Sequence, residues 1–423
     1  MANVLLQKIF SITNSKKHKI ITILGIKIKF SKKLPKYIIL LGKILDKITP
    51  KNHTKIVFCS YPDYSDNAKE FFEYMKTNHA NEYSMVWLCN NPDSVEIPVK
   101  KYKINSIKGL LELLTAKYTV NTFFALEQFT SSKRRVNIQL WHGMTLKTIG
   151  YLEKNIPDHM FKAYKKNKDA YFFVTSDIFK LAMSASFLVN PNRIFITGQP
   201  RTDCIISKRN TNKIKKFLDC CNYDKIILFT PTYKECKRKD RGRDVDHLFN
   251  NIFYMDDYSE EKFYQLLKNK NILFVIKPHP FEEKFYRNLE ANNTFSHPNI
   301  KILYNTDIKN NDLYFYEFFQ IADLMITDFS SIGIDYLITQ KPIIFLNSLA
   351  EEYNKNRGFT LEDNYEILMP GEKVYNFDQL LNAIEEAIMT DHWKAQRLKI
   401  LPLLHKYCDG NASERIYNIM KEL

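Results

Sequence analysis

Glycine and proline are scarce, 11 and 15 in 423 residues. That composition leaves little room for low-complexity linkers, and no internal repeat is visible. The seven cysteines are odd in number, scattered and never spaced C-x-x-C, which removes zinc ribbons and dithiol redox motifs and fits a reduced, cytosolic compartment. No Asp-x-Asp pair or carboxylate cluster marks a metal site, so no metal ligand and no required cofactor are assigned; a loosely held Mg2+ has no motif behind it. The chain opens without a signal-peptide pattern, and no apolar run nears the ~18 residues that spanning a bilayer takes. Acids are almost missing from the first 55 residues, which hold 13 lysines, no arginine and one carboxylate, Asp46.

What is present describes a globular protein large enough for two domains: 45% hydrophobic and 14% aromatic residues. The formal net charge of +15 sits mostly in the Lys-rich arm, residues 1–50. Within it, 26–30 alternates like a strand and 37–47 reads as a greasy helix with basic flanks. Each lysine near an anionic leaflet contributes on the order of 1 kcal/mol, so the arm is expected to dock on an anionic membrane surface. The bland alternative is a solvated face or packing against the body. A nucleic-acid partner is not expected, since such arms favour arginine and aromatic stacking.

After residue 50, short apolar runs alternate with amphipathic stretches, the pattern of α/β layers over parallel sheets. Strands are expected at 56–59, 85–88, 118–120, 138–140, 171–174 and 194–196, with helices at 67–78 and 177–187. The polar stretch 204–224 reads as a crossover, and 234–258 as a charged loop or insertion. A second series follows at 225–231, 271–276, 300–303, 324–326 and 342–346, ending in a helix from 377. The fold class is therefore α/β, with two Rossmann-like domains facing a cleft and a basic N-terminal arm. The expected division is 51–210, 211–400 and a C-terminal helix, 401–423, that can cross back.

Polar knots follow five of these runs, at the strand ends where such sheets bind ligands. They are Trp141-His142-Gly143 with Lys147, Thr197-Gly198-Gln199-Pro200-Arg201-Thr202-Asp203, Thr230-Pro231-Thr232-Tyr233-Lys234, Lys277-Pro278-His279-Pro280 and Thr327-Asp328-Phe329-Ser330-Ser331. The last reads as a strand exit onto a helix start, where free N–H groups and the dipole attract phosphate and serine hydroxyls add donors. A plain Ser/Asp cap would look the same. Gly143 lets the backbone turn away and leaves His142 accessible, while two prolines stiffen the turn at His279. Arg201 can grip phosphate oxygens with its planar fork or pair with Asp203. Lysine is common enough that Lys234 and Lys277 are weaker candidates, and Trp141 reads as packing under the histidine. Two histidines, an arginine, lysines and hydroxyls on one cleft suit a diphosphate.

Taken together, these segments resemble the CDP-glycerol glycerophosphotransferase family of teichoic-acid and capsule polymer phosphotransferases, over roughly 50–395; Arg357-Gly358-Phe359 and Pro370-Gly371 also match. Departures fall at Met144-Thr145, where Thr-Pro is usual, at Lys234 for Arg and at Phe329 for Tyr. The resemblance implies a GT-B fold, with an N-terminal acceptor domain and a C-terminal CDP-donor domain. It implies transfer of glycerol phosphate, or a related alditol phosphate, to a hydroxyl of a lipid-linked or capsular glycan acceptor, releasing CMP. On that carry-over His142 and His279 are catalytic, His142 as general base. Arg201, Thr230, Lys277, Thr327, Asp328, Ser330, Ser331 and Arg357 face the donor, and Gly143 and Lys147 lie on the acceptor side. A GT-B glycosyltransferase using a nucleotide-sugar is the enzymatic alternative, and a membrane-surface scaffold the non-enzymatic one. The implied location is the inner face of the cell membrane, peripherally attached from the cytoplasm.

Overall fold

Doubly wound order emerges twice from runs of buried β-branched and aromatic residues. The computed structural model describes residues 10–14, 18–23, 26–31, 42, 44–123, 134–144, 146–154, 156, 160, 161, 164, 168–207, 209–232, 251–280, 282–291 and 297–423. The chain divides into two compact units, Met1–Gln139 and Leu140–Leu423.

In the first unit, β1 (Phe10–Asn14), β2 (His18–Ile23) and β3 (Ile26–Ser31) form an antiparallel sheet in that order, so the strand read at 26–30 pairs with β2, which pairs in turn with β1, two strands that the pattern did not disclose. Five parallel strands follow: β4 (Asn52–Cys59), β5 (Ser84–Cys89), β6 (Lys100–Lys103), β7 (Ala116–Asn121) and β8 (Val136–Gln139), in the order β8-β7-β4-β5-β6. Their core holds Val57, Val86, Leu88, Leu110 and Leu113. Most of the helix expected at 37–47 lies outside the described residues. Its end is helical, and Asp46 there is buried, bonded to Lys51 at 2.6 Å and to the buried Arg135. The end of the arm is thus packing, because a buried carboxylate needs its cations.

The second unit opens with a parallel pair, β9 (Tyr171–Val174) and β10 (Ile194–Ile196), at the expected bounds. Six parallel strands follow: β11 (Lys225–Thr230), β12 (Ile272–Ile276), β13 (Ile300–Ile302), β14 (Leu324–Thr327), β15 (Ile343–Leu346) and β16 (Glu372–Val374). Their order, β13-β12-β11-β14-β15-β16, reverses direction between β11 and β14. That is the switch point where a crevice opens in such sheets. Ile227, Phe229, Phe274, Ile326, Ile344 and Phe377 fill the core. Most of the charged loop read at 234–258, including Lys234, lies outside the described residues; its end buries Ile252, Phe253 and Met255 in that core. The unit begins at Leu140, ahead of residue 210, because 146–148 and 200–207 make their long-range bonds to residues between 316 and 413. Among the described residues, no helix is long and apolar enough to cross a membrane.

Candidate functional site

At the switch point, Thr230 and Thr327 pair across β11 and β14, and Thr327 donates its hydroxyl to the Thr230 carbonyl at 2.7 Å. One residue on, the Asp328 carboxylate accepts the Thr232 N–H at 3.1 Å and the Thr232 hydroxyl at 2.7 Å. These bonds clip the two strand exits together. Thr327 and Asp328 are fully buried, and their oxygens serve this clip. The Thr230 hydroxyl is buried with no hydrogen-bond partner among the described residues. Ser330 caps the helix Ser331–Tyr336, accepting from the Ile332 N–H at 3.4 Å. That helix has only six residues, so its dipole is weaker than the sequence pattern suggested, and the Ser330 oxygen already has a donor.

The turn carrying His142 runs through unusual backbone. Trp141 sits in the left-handed region at φ 55°, a cost of roughly 1–2 kcal/mol for a side-chain-bearing residue, and Gly143 follows at φ 126°. His142 is exposed, its ring 4.3 Å from that of Trp141, which in turn packs on Phe187. A Cβ at Gly143 would lie 2.5 Å from both Arg201 Nη2 and Ser331 Oγ. Three of the five polar knots therefore close on one point.

Arg201, in the first turn of Pro200–Ser207, is buried and pairs with Asp335 at 2.5 Å. The alternative partner read from sequence, Asp203, is instead taken by the helix Ala412–Glu422, whose Ala412 and Ser413 N–H groups and Ser413 hydroxyl it accepts at 2.8–3.0 Å. A carboxylate at that helix start satisfies orphan donors, which a side-by-side ion pair would not. Tyr316 donates its hydroxyl to Asp335 at 2.8 Å and lays its ring 5.1 Å from the Arg201 guanidinium carbon.

Beyond Gly143 the chain becomes a strap. Lys147 bridges to Phe359 in antiparallel sense, and the Thr360 N–H donates to the Leu146 carbonyl at 2.8 Å. Arg357 reaches the Thr148 carbonyl through Nε at 3.4 Å. Lys147 is buried, its amine 4.9 Å over the Tyr353 ring. Met144 is buried and Thr145 lies outside the described residues.

Lys277 leaves β12 buried, its amine donating to the Pro278 carbonyl at 2.9 Å, and burial lowers its pKa to about 8. His279 is lowered to about 3, first by burial and then by the charges of Lys147 and Lys277, with Asp328 opposing. The structure thus places His279 within reach of the charges of Lys147, Lys277 and Asp328. At neutral pH His279 is an uncharged imidazole, able to donate or accept one hydrogen bond but not to serve as a cation.

Sequence reasoning passed over Asp335 and Tyr316. Asp335 stands four residues after Ser331 on the same helix face, a spacing that could have flagged it. Tyr316 lies in an aromatic run that reads as core. Among the described residues, no three His, Cys, Asp or Glu side chains gather as a metal site.

The family model of CDP-Glycerol:Poly(glycerophosphate) glycerophosphotransferase matches residues 43–422. The teichoic acid glycerol-phosphate primase of Bacillus subtilis (strain 168) is 26% identical over 343 residues, covering 77% of this chain and 78% of the relative. A teichoic acid poly(glycerol phosphate) polymerase of Bacillus spizizenii is 26% identical over 423 residues, covering 91% and 98%. Among solved structures, the wall teichoic acid polymerase TagF superposes with a TM-score of 0.72 at 21% identity over 91% of this chain and 92% of that one, a likeness of fold.

Proposed function

This chain belongs to the CDP-glycerol:poly(glycerophosphate) glycerophosphotransferase family and is an enzyme, and we propose that it moves glycerol phosphate, or a related alditol phosphate, from a CDP-activated donor to a hydroxyl of a lipid-linked or polymeric surface-glycan acceptor, releasing CMP. The observation that supports this reading best is the closure of the His142 turn onto Arg201 and Ser331.

In the proposed step the acceptor oxygen attacks the distal phosphorus of the donor. A P–O bond forms to the acceptor and the P–O bond to CMP breaks. His142, exposed beside that point, takes the hydroxyl proton, a contribution of ~10²–10⁴-fold in rate. The protein otherwise positions the reactants and offsets charge on the departing CMP. Lys147 and Lys277 supply that charge, neutral His279 supplies a hydrogen bond, the Thr230 and Ser331 hydroxyls border the donor, and Arg201 stands against Gly143. Arg357 orders the strap.

The finer architecture follows the same reading: GT-B-like, with residues 51–210 serving the acceptor and 211–400 the donor. The Lys-rich arm is assigned to an anionic membrane surface at the cytoplasmic face, and a capsule or other surface glycan to the acceptor. Since Asp46 is tied into the first unit, a truncation testing the arm should stop at residue 36. Unchanged sedimentation with anionic vesicles would refute membrane docking.

For the reaction, the protein is incubated with CDP-glycerol, CDP-ribitol and common nucleotide-sugars. CMP release with a new phosphodiester supports the reading; nucleotide release with a glycosidic bond overturns it. Wild-type turnover by His142→Ala would remove the base assignment.

A further inference from the structure

We infer that Asp335, together with Tyr316, is a positioning residue that acts through Arg201 and Gly143 to hold the turn carrying His142. The inference rests on the reading of His142 as the base.

One carboxylate oxygen, Asp335 Oδ2, receives both Arg201 Nη2 and the Tyr316 hydroxyl, at 2.5 and 2.8 Å. The Tyr316 ring lies 5.1 Å from the guanidinium carbon, so the plane of Arg201 is fixed at one end by a bond and along one face by a ring. The atom so fixed, Nη2, is the one that Gly143 approaches: a Cβ there would stand 2.5 Å away. Ser331 Oγ would stand at the same separation. Gly143 is thus seated against both a clamped guanidinium and a helix start.

The seating has something to hold. Trp141, before His142, holds φ 55°, a conformation that in a side-chain-bearing residue persists only when its surroundings over-determine it, and Gly143, after it, turns at φ 126°, which glycine adopts freely. Stability alone is a poor reason for the pair. Arg201 and Asp335 have side-chain exposures of 4% and 0%, and buried ion pairs can often be replaced by apolar residues without loss. What an apolar pair cannot supply is a directed bond next to the glycine.

A rival account makes Arg201 a donor ligand and Asp335 its counter-ion. The two accounts differ in which kinetic constant moves. The test compares Asp335→Asn, Tyr316→Phe and the apolar double variant Arg201→Met/Asp335→Leu with wild type, each checked for folding by circular dichroism and thermal melting. Positioning predicts a fall in kcat of about 100-fold for Asp335→Asn and a smaller fall for Tyr316→Phe, with donor KM nearly unchanged. It also predicts a folded double variant that binds donor normally and turns over poorly, which serves if Asp335→Asn does not fold. A raised donor KM at constant kcat, or an active double variant, overturns it. In a His142→Ala background, Asp335→Asn should add almost nothing, since both changes remove one unit. An equal loss in that background overturns positioning, whereas full turnover by His142→Ala alone rejects the base reading instead.

Discussion

Thr148 donates its backbone N–H to the carbonyl of Gly358 at 3.0 Å, and its hydroxyl to the neighbouring Arg357 carbonyl at 2.6 Å. These bonds cross 210 positions of sequence and tie the strap behind His142 to the segment before Phe359. Thr148→Val keeps the shape and removes the hydroxyl donor, at about 1 kcal/mol for one net hydrogen bond. A lower melting temperature together with a fall in kcat of less than about tenfold is expected, since the backbone bond remains. Calorimetry and steady-state kinetics on the one variant check both.

Gly143 should tolerate no side chain. Gly143→Ala must place a methyl against Arg201 Nη2 and Ser331 Oγ at a backbone φ that alanine rarely adopts. A loss of about 100-fold in kcat is expected from displacement of His142. Single-turnover kinetics separate this from weaker donor binding.

Lys277 gives the protein an alkaline limit. Its folded pKa, about 8, lies below the ordinary 10.5 because burial disfavours the charged amine. Donor affinity should therefore decline as pH rises through 8, when the folded protein loses a charge that the unfolded chain keeps. Lys277→Arg, whose guanidinium stays charged, should flatten that decline even if it binds donor more weakly throughout. Titration calorimetry with CDP-glycerol across this range would show it.

His279 acts on the acid side, and through stability. Its folded pKa of about 3 lies below the ordinary 6.5, so between those values the unfolded chain holds a proton that the folded protein lacks. Stability is complete above 6.5 and is lost progressively as pH falls toward 3. His405, fully buried and also lowered, adds a loss of the same sign. His279→Gln should shrink the difference in urea midpoint between neutral and acidic buffer without abolishing it.

Removing divalent metal should leave the reaction running. The proposed offset of CMP charge falls to Lys147 and Lys277, so turnover in EDTA should stay within about twofold of the untreated enzyme. CMP release measured with and without EDTA, then with added Mg2+, decides the point.

The elements legible in the sequence were those whose burial repeats along the chain. β9 and β10 stand at their expected bounds, and the runs at 225–231, 271–276 and 324–326 became β11, β12 and β14 with ends moved by a residue. Edges escaped. β6 is Lys-Lys-Tyr-Lys and β16 is Glu-Lys-Val, polar strands at the margins of sheets that carry no apolar alternation to read. In the site, the polar knots were visible because each interrupts an apolar run. Their partners were not, because Arg201 finds Asp335 across 134 positions and no local pattern records such a meeting. The clip of Asp328 on Thr232, across 96, is hidden for the same reason.

Asp203 holds the start of the helix Ala412–Glu422, and it stands two residues past Arg201. The arginine's own helix therefore receives its last support from residues made 209 positions later. A nascent chain short of Ala412 can complete both parallel sheets and pair Arg201 with Asp335 while the helix that carries Arg201 is still loosely braced. Competence for transfer is then acquired late in translation, and folding is slowed by the wait for so distant a contact.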